Sequence, residues 1–323
     1  MGTIRKKRGA RGEWRSSPLA PHSFLLVLAV ILLVSCTSTR PVTKIALIAP
    51  FEGLYRQTGY TALEAMRAAI AQSDTGDIDI MPLALDGSGS AEQVRRATQK
   101  ALRDPSVAAL VGPFDPSTIA SLDDLLAADG RAWHAPSTQV LTDTITAIAA
   151  YIDPTHKLLL AGDSELLAAV NAEILATRLD HPIRVGLDAA ALPINEETVI
   201  WLGDAATAAD ELIRLRINAP DAPFWLAFNG DTPIFAQRLL RTAGPNGEIA
   251  PIGPVYWAAW LDDEYTSWAE THQPNTPTAY VTYRATQRAI AQITGAQIVN
   301  ASQRLFIFQL QGDGSSRLVE ESR

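Results

Sequence analysis

Cysteine is almost missing from this chain: of 323 residues, only Cys36 is one. A single thiol forms no internal disulfide and no multi-thiolate metal site, so stability has to come from packing. Histidine is sparse and scattered (His22, His134, His156, His181, His272), and no pair has the HExxH spacing of a zinc helix. Neither a G-x-S-x-G elbow nor a Walker A loop occurs, and no cofactor or enzymatic activity is expected. The carboxylate pairs Asp123-Asp124, Glu196-Glu197 and Asp262-Asp263-Glu264 read as solvated faces rather than acid/base dyads. Positive charge is in deficit, with 27 Lys+Arg against 35 Asp+Glu and a net of −8. Such a surface repels phosphates, which excludes nucleic acid as a partner. Apolar runs of membrane length are absent too. The longest, Phe24 to Val34, has 11 residues, whereas a spanning helix needs about 20.

That short run is nevertheless informative. It follows a basic leader (Arg5, Lys6, Lys7, Arg8, Arg11, Arg15) and ends in Leu33-Val34-Ser35-Cys36. Basic segment, apolar segment and small residue before a cut are the parts of a secretory signal. The tetrad resembles a bacterial lipobox, in which the cysteine thiol is acylated and becomes the new N-terminus. On this reading residues 1–35 are a signal peptide, and the working chain starts at Cys36, tied by lipid to the outer side of a bacterial membrane. Residues 36–43, polar and containing Pro41, serve as a tether. Without the leader the net charge falls to about −13.

After residue 43, short apolar runs alternate with helical patterns. Lys44–Pro50 (KIALIAP) reads as a strand, and Tyr60–Gln72 as a helix with Leu63, Met66, Ala69 and Ile70 on one face. Ile78–Leu85 is a strand, followed by the turn Asp86-Gly87-Ser88-Gly89. Ser90 and Gln93 then form a capping box for the helix Ala91–Arg103. Val107–Val111 is a strand, Ser117–Ala128 a helix and Ala132–Pro136 a strand. A second set of the same kind has strands at Lys157–Ala161, Ile183–Leu187, Thr198–Leu202, Phe224–Phe228, Val255–Trp260 and Arg304–Gln309. Its helices are Glu165–Leu179, Ala206–Arg216, Pro233–Thr242 and Ala279–Ile293. The β-α alternation predicts an α/β fold with two Rossmann-like lobes, each a parallel sheet covered by helices. The lobes are expected at 44–142 plus 257–300 and at 143–256 plus 301–323, with a ligand cleft between them.

Several segments, taken in order, resemble the type I periplasmic binding proteins, the branched-chain amino-acid type of ABC importers. They are KIALIAPFEGLYRQTGYTALEAMRAAI (Lys44–Ile70), the stretch from Asp86 to Gly112-Pro113, Ala135-Pro136-Ser137-Thr138, TAYVTYRATQRAIAQI (Thr278–Ile293) and FQLQGDGSS (Phe308–Ser316). The resemblance implies a ligand held beyond the carboxyl ends of the strands, where open parallel sheets bind ligands and helix N-termini offer free N–H groups. In the amino-acid binders, a serine after the Gly-Pro turn holds the ligand carboxylate. Direct counting puts Pro116 there, with Ser117 or Thr118 able to substitute. The threonine of the family's "SPxxT" turn maps to Thr138, next to Ser137. The acidic residue that takes the ligand ammonium has Asn229 in its place, and the aromatic of the preceding strand falls near Asp204. The amino-acid clamp is thus only half present. The 59 residues between Thr138 and Thr198 also make the second lobe short for the family.

The candidate ligand-binding residues are therefore Tyr55, Thr58, Asp115, Ser117, Thr118, Ser137, Thr138, Asp204, Asn229 and Trp257. Each has a plainer alternative. Tyr55 either stacks on a ligand or packs over its loop. Ser117 and Thr118 either meet an anion or cap a helix. Asn229 either binds or merely turns the chain. Trp257 either lines the cleft or packs in the core or between lobes, and Asp204 or Asp115 would suit an amine. The functional expectation is an extracytoplasmic solute-binding lipoprotein that captures a small polar ligand and presents it to an ABC-type permease. The alternative is a sensory or protein-binding lipoprotein on the same fold, such as an activator of cell-wall synthases.

Overall fold

The structure, a computed structural model, describes residues 42–321 apart from 89, 115–117, 120, 136–140, 164–166, 168–178, 180, 187–196, 218, 228–229, 242–252 and 298–300. Cys36 therefore lies outside the described residues, as does nearly all of the helix expected at 165–179.

The first half runs β1 (Val42–Ala49), a single 3-10 turn (Gly53–Tyr55), α1 (Arg56–Gln72), β2 (Asp79–Asp86), α2 (Ala91–Arg103), β3 (Val107–Val111), α3 (Asp123–Asp129) and β4 (Ala132–His134). The second runs α4 (Leu141–Ala149), β5 (Lys157–Gly162), β6 (Ile183–Val185), β7 (Glu197–Leu202), α5 (Ala205–Leu215), β8 (Phe224–Leu226), α6 (Pro233–Arg241) and β9 (Val255–Leu261). It closes with α7 (Tyr265–Thr271), α8 (Pro277–Thr294), β10 (Arg304–Leu310) and β11 (Ser316–Glu321).

Strands β2-β1-β3-β4 form one parallel sheet. β1 is central, and its residues Ile45 to Ala49 are buried, as expected of a strand covered on both faces. Successive side chains point to opposite faces. Ile45, Leu47 and Ala49 pack with Met66 of α1 and with Ala285 and Ala289 of α8. Ala46 and Ile48 pack with Val94 and Ala97 of α2 and with Leu122. The chain thus returns to the first sheet through α8, as expected. Ser90 caps α2 by accepting from Gln93 N at 3.2 Å, but the Gln93 side chain turns to Asp86 at 2.6 Å rather than back to the cap.

The other sheet has the order β11-β10-β9-β8-β7-β5-β6. It is parallel from β6 to β9 and antiparallel at β9-β10 and β10-β11. Three features depart from the expectation. Helices α4 and α7 and strand β11 are additional, and the sheet is mixed rather than parallel. β9 lies wholly in this second sheet, so the crossing back follows Leu261 instead of falling at residue 257.

Gly59 shows how tightly α1 sits on the first sheet. A Cβ there would lie 2.0 Å from the Pro50 carbonyl oxygen, so no other residue fits without moving the loop after β1. The crossing is held by a polar cluster. Asp262, just past β9, is 3% exposed. It accepts from the Tyr280 hydroxyl and from Glu264 N at 3.2 Å, and pairs with Arg284 Nε at 3.2 Å. This corrects the reading of Asp262 as part of a solvated face, whereas Asp263 and Glu264 are exposed as that reading has them. Glu197, like Asp262, is buried and paired, here with Arg184 at 2.8 Å. In both cases the carboxylate sits at a strand end, where a guanidinium from another element reaches it.

Candidate functional site

The carboxyl ends of both sheets open onto one cavity of about 530 Å³, well inside the about 300–1,000 Å³ usual for small-molecule sites. The first sheet supplies Ile48 to Pro50 after β1, Gly87, Ser88 and Ser90 after β2, and Pro113, Phe114 and Thr118 after β3. Glu52 to Tyr55, just before α1, and Thr58 in its first turn close it. Across the opening come Asp204 and Ala205 after β7, and Thr232 after β8. The walls are mainly apolar (Ile48, Pro50, Leu54, Val94, Pro113, Phe114), with hydroxyls set among them.

Two carboxylates organise the rim. Asp86 ends β2 and accepts from Phe51 N at 2.8 Å, Ser88 N at 3.1 Å and the Ser88 hydroxyl, while Gln93 Nε2 takes its other oxygen. Ser88 in turn accepts from Glu52 N at 3.0 Å, and its oxygen lies 3.1 Å from Glu52 O. The loop after β1 is thereby pinned to the loop after β2, two turns that are 35 residues apart in the chain. Desolvation opposes the charge of Asp86, but the bonds from Ser88, Phe51 and Glu52 outweigh it and hold the carboxyl below its ordinary range.

Asp204 caps α5, accepting from Ala206 N at 2.9 Å, Thr207 N at 3.0 Å and the Thr207 hydroxyl. Its Oδ1 also accepts from the Tyr55 hydroxyl at 2.6 Å, a bond across the cavity between residues 149 apart. Ala206 N donates to the same hydroxyl at 3.3 Å. Burial and the Asp204 bond push the Tyr55 phenol well above its ordinary range, so it stays protonated and donating. Burial again opposes the charge of Asp204, but bonds from Thr207 and Tyr55 prevail and lower its carboxyl. Arg238, whose charge reaches Tyr55, is itself paired with Asp210 and donates to Ala206 O at 3.2 Å.

Of the residues singled out from sequence, Tyr55, Thr58, Thr118 and Asp204 meet at this cavity. Asp115, Ser117, Ser137, Thr138 and Asn229 lie outside the described residues. Trp257 does not reach the cavity. It is 2% exposed, stacks on Phe308 at 4.2 Å and donates Nε1 to Ser316 Oγ at 3.0 Å. Its ring lies so close to Gly230 that a Cβ there would meet it at 2.2 Å. The plainer reading, an aromatic packed in the sheet, is the one observed. Sequence reasoning missed Asp86, Glu52, Ser88 and Thr232. Asp86-Gly87-Ser88-Gly89 read as a turn, and a turn it is; its extra role depends on partners far away in the chain.

Compared with solved structures, the chain matches a leucine-binding protein from Thermotoga maritima MSB8 with a TM-score of 0.64 at 12% identity, over 86% of this chain and 98% of that one. It matches a branched-chain amino acid transporter substrate-binding protein from Streptococcus pneumoniae, in complex with isoleucine, with a TM-score of 0.60 at 13% identity, over 87% and 100% of the two chains. A solute-binding protein of an ABC transporter from R. palustris, in complex with benzoate, matches with a TM-score of 0.58 at 12% identity, over 87% and 96%. The chain has the type I periplasmic-binding-protein fold. No protein-family model and no curated protein sequence matches it. In this periplasmic-binding fold the cavity lies where open α/β sheets place their ligands, outside the carboxyl ends of the strands.

Proposed function

We propose that the chain is an extracytoplasmic solute-binding lipoprotein, held to the membrane through lipid on Cys36, which takes up a small molecule between its two sheets and delivers it to an ABC-type permease. The observation that carries this reading is the cavity itself, walled by loops of both sheets and spanned by the Tyr55–Asp204 hydrogen bond. No covalent step is needed. Desolvation of apolar surface and a few oriented hydroxyls supply the affinity. The lipid keeps the protein near the permease and raises its effective concentration there.

Thermal unfolding of the full-length chain in detergent, against amino acids, amides, amines, alcohols and sugars, tests capture. A ligand that binds only the folded state stabilises it by about 2.7 kcal/mol at 100 times its Kd. A saturable rise in Tm supports the reading; a flat response across the panel from a well-folded protein overturns it. The anchor has its own check. Cys36→Ser removes the thiol that would carry the lipid, and is expected to move the protein from the membrane fraction to the soluble one, with its folded core unaltered. A variant that stays in the membrane fraction disproves the anchor and leaves the cavity reading intact.

A further inference from the structure

Charge around the cavity is one-sided. Its described lining holds two carboxylates, Glu52 and Asp204, and no lysine, arginine or histidine. Among the described residues that follow β1, β2, β3, β7 and β8 at this end, Arg56 is the one cation, and it is exposed and outside the lining. A ligand carboxylate buried here would find no counter-ion in the described lining, and Arg238, whose charge reaches Tyr55, is already paired with Asp210; an uncompensated charge in a desolvated site is costly. Helix N-termini are the usual substitute for a cation, but on α2 and α5 side-chain caps already take end amides, whereas α1, which begins after Tyr55, carries no side-chain cap. Gln93 N of α2 is filled by Ser90 Oγ, and Ala206 N and Thr207 N of α5 by Asp204.

The two carboxylates differ in availability. Asp204 already receives Ala206 N, Thr207 N, the Thr207 hydroxyl and the Tyr55 hydroxyl, which leaves little room for an ammonium. Glu52 is exposed at the rim. Its backbone is fixed by Ser88, and no described residue bonds its carboxylate. A second polar group is also open. Thr58 Oγ1, on the cavity wall, is buried and has no hydrogen-bond partner among the described residues. A buried hydroxyl left unbonded in the empty site carries a cost that a ligand donor or acceptor would remove. The remaining wall is mainly apolar, with the hydroxyls of Tyr55, Ser88, Ser90, Thr118 and Thr232 among it.

We propose that the cavity selects a cationic amine with an apolar body and rejects carboxylates, with Glu52 as the counter-ion and Thr58 as the second polar contact. The proposal rests on the solute-binding reading and narrows it to a ligand class. Aromatic probes on one scaffold separate the charges: 2-phenylethylamine, 2-phenylethanol, 3-phenylpropanoate and phenylalanine, titrated calorimetrically into the full-length chain. The amine is expected to bind best, the alcohol about tenfold or more weakly for want of a charge-assisted bond, and the propanoate not measurably. Glu52→Gln is expected to reduce amine affinity by about tenfold and leave the alcohol unchanged. Thr58→Val is expected to weaken both. Glu52 makes only backbone contacts, so its variant should fold; an unchanged Tm checks this. Glu52→Lys serves as the independent reversal, expected to abolish amine binding and admit the propanoate.

If the propanoate or phenylalanine binds as tightly as the amine, or Glu52→Gln leaves amine affinity unchanged, the ligand class is wrong while solute capture stands. If none of the probes binds, the amine assignment fails. If the broad panel also leaves Tm unmoved, the solute-binding reading fails with it.

Discussion

Asp262→Ala is expected to destabilise the chain by about 3 kcal/mol, the low end of the range for removing one partner of a buried ion pair. The argument turns on what is left behind. Asp262 is 3% exposed, and it satisfies the Tyr280 hydroxyl, Glu264 N and Arg284 Nε together. Tyr280 is itself fully enclosed, and burial together with its bond to Asp262 pushes its phenol far above the ordinary range. Alanine would strand that hydroxyl, and unsatisfied buried donors cost about 1–3 kcal/mol each. Arg284 would fare better, because it keeps Glu264 at 2.9 Å, which is why the upper part of the range is not expected. Asp262→Asn retains the acceptor for Tyr280 and should lose about half as much. Equilibrium denaturation at unchanged m-value is the measurement. A loss under about 1 kcal/mol for the alanine variant would mean that the crossing from β9 to α8 does not depend on this cluster.

The strands were legible because burial on both faces writes itself as short apolar runs. Lys44–Pro50, Val107–Val111 and Thr198–Leu202 each fall within a residue or two of an observed strand. Helix α2 was legible from its own cap, since Ser90 needs only its neighbour Gln93 to act. What stayed hidden depends on distant partners. Ser316–Glu321 (SRLVEE) is short and mostly polar, and becomes β11 by pairing with the edge of β10. Tyr55 and Asp204 could be placed at strand ends one by one, but nothing local in either stretch announces a bond across 149 residues. The aromatic at 257 shows the converse. A tryptophan near a proposed crossing looks available to a ligand until Phe308, Ser316 and Gly230 are known to surround it.

Tyr55→Phe is expected to loosen the hold between the two sheets while leaving each folded. The lost hydroxyl removes a single bond, worth about 0.5–1.5 kcal/mol, or more where the acceptor is charged. Asp204 keeps its three capping donors on α5, so little of the loss is local. A contact made only when the cavity walls are together biases that arrangement by its own free energy. Ligand affinity should therefore fall by about fivefold to tenfold, carried mainly by faster dissociation. Asp204→Ala should do more, because it deletes the same bond and also the cap, itself worth about 0.5–2 kcal/mol. Acid separates charge from shape. The folded Asp204 carboxyl is held below its unfolded value, so its contribution is complete above about pH 4 and is lost as pH falls through the folded value. Asp86 adds to the same window, since its carboxyl is lowered as well. Asp204→Asn can still cap and still accept from Tyr55, yet carries no proton-linked contribution. The stability gap between it and the wild type should therefore close as pH is lowered below about 4. A gap that stays constant from pH 6 to pH 3 would show that the Asp204 charge contributes nothing beyond its hydrogen bonds.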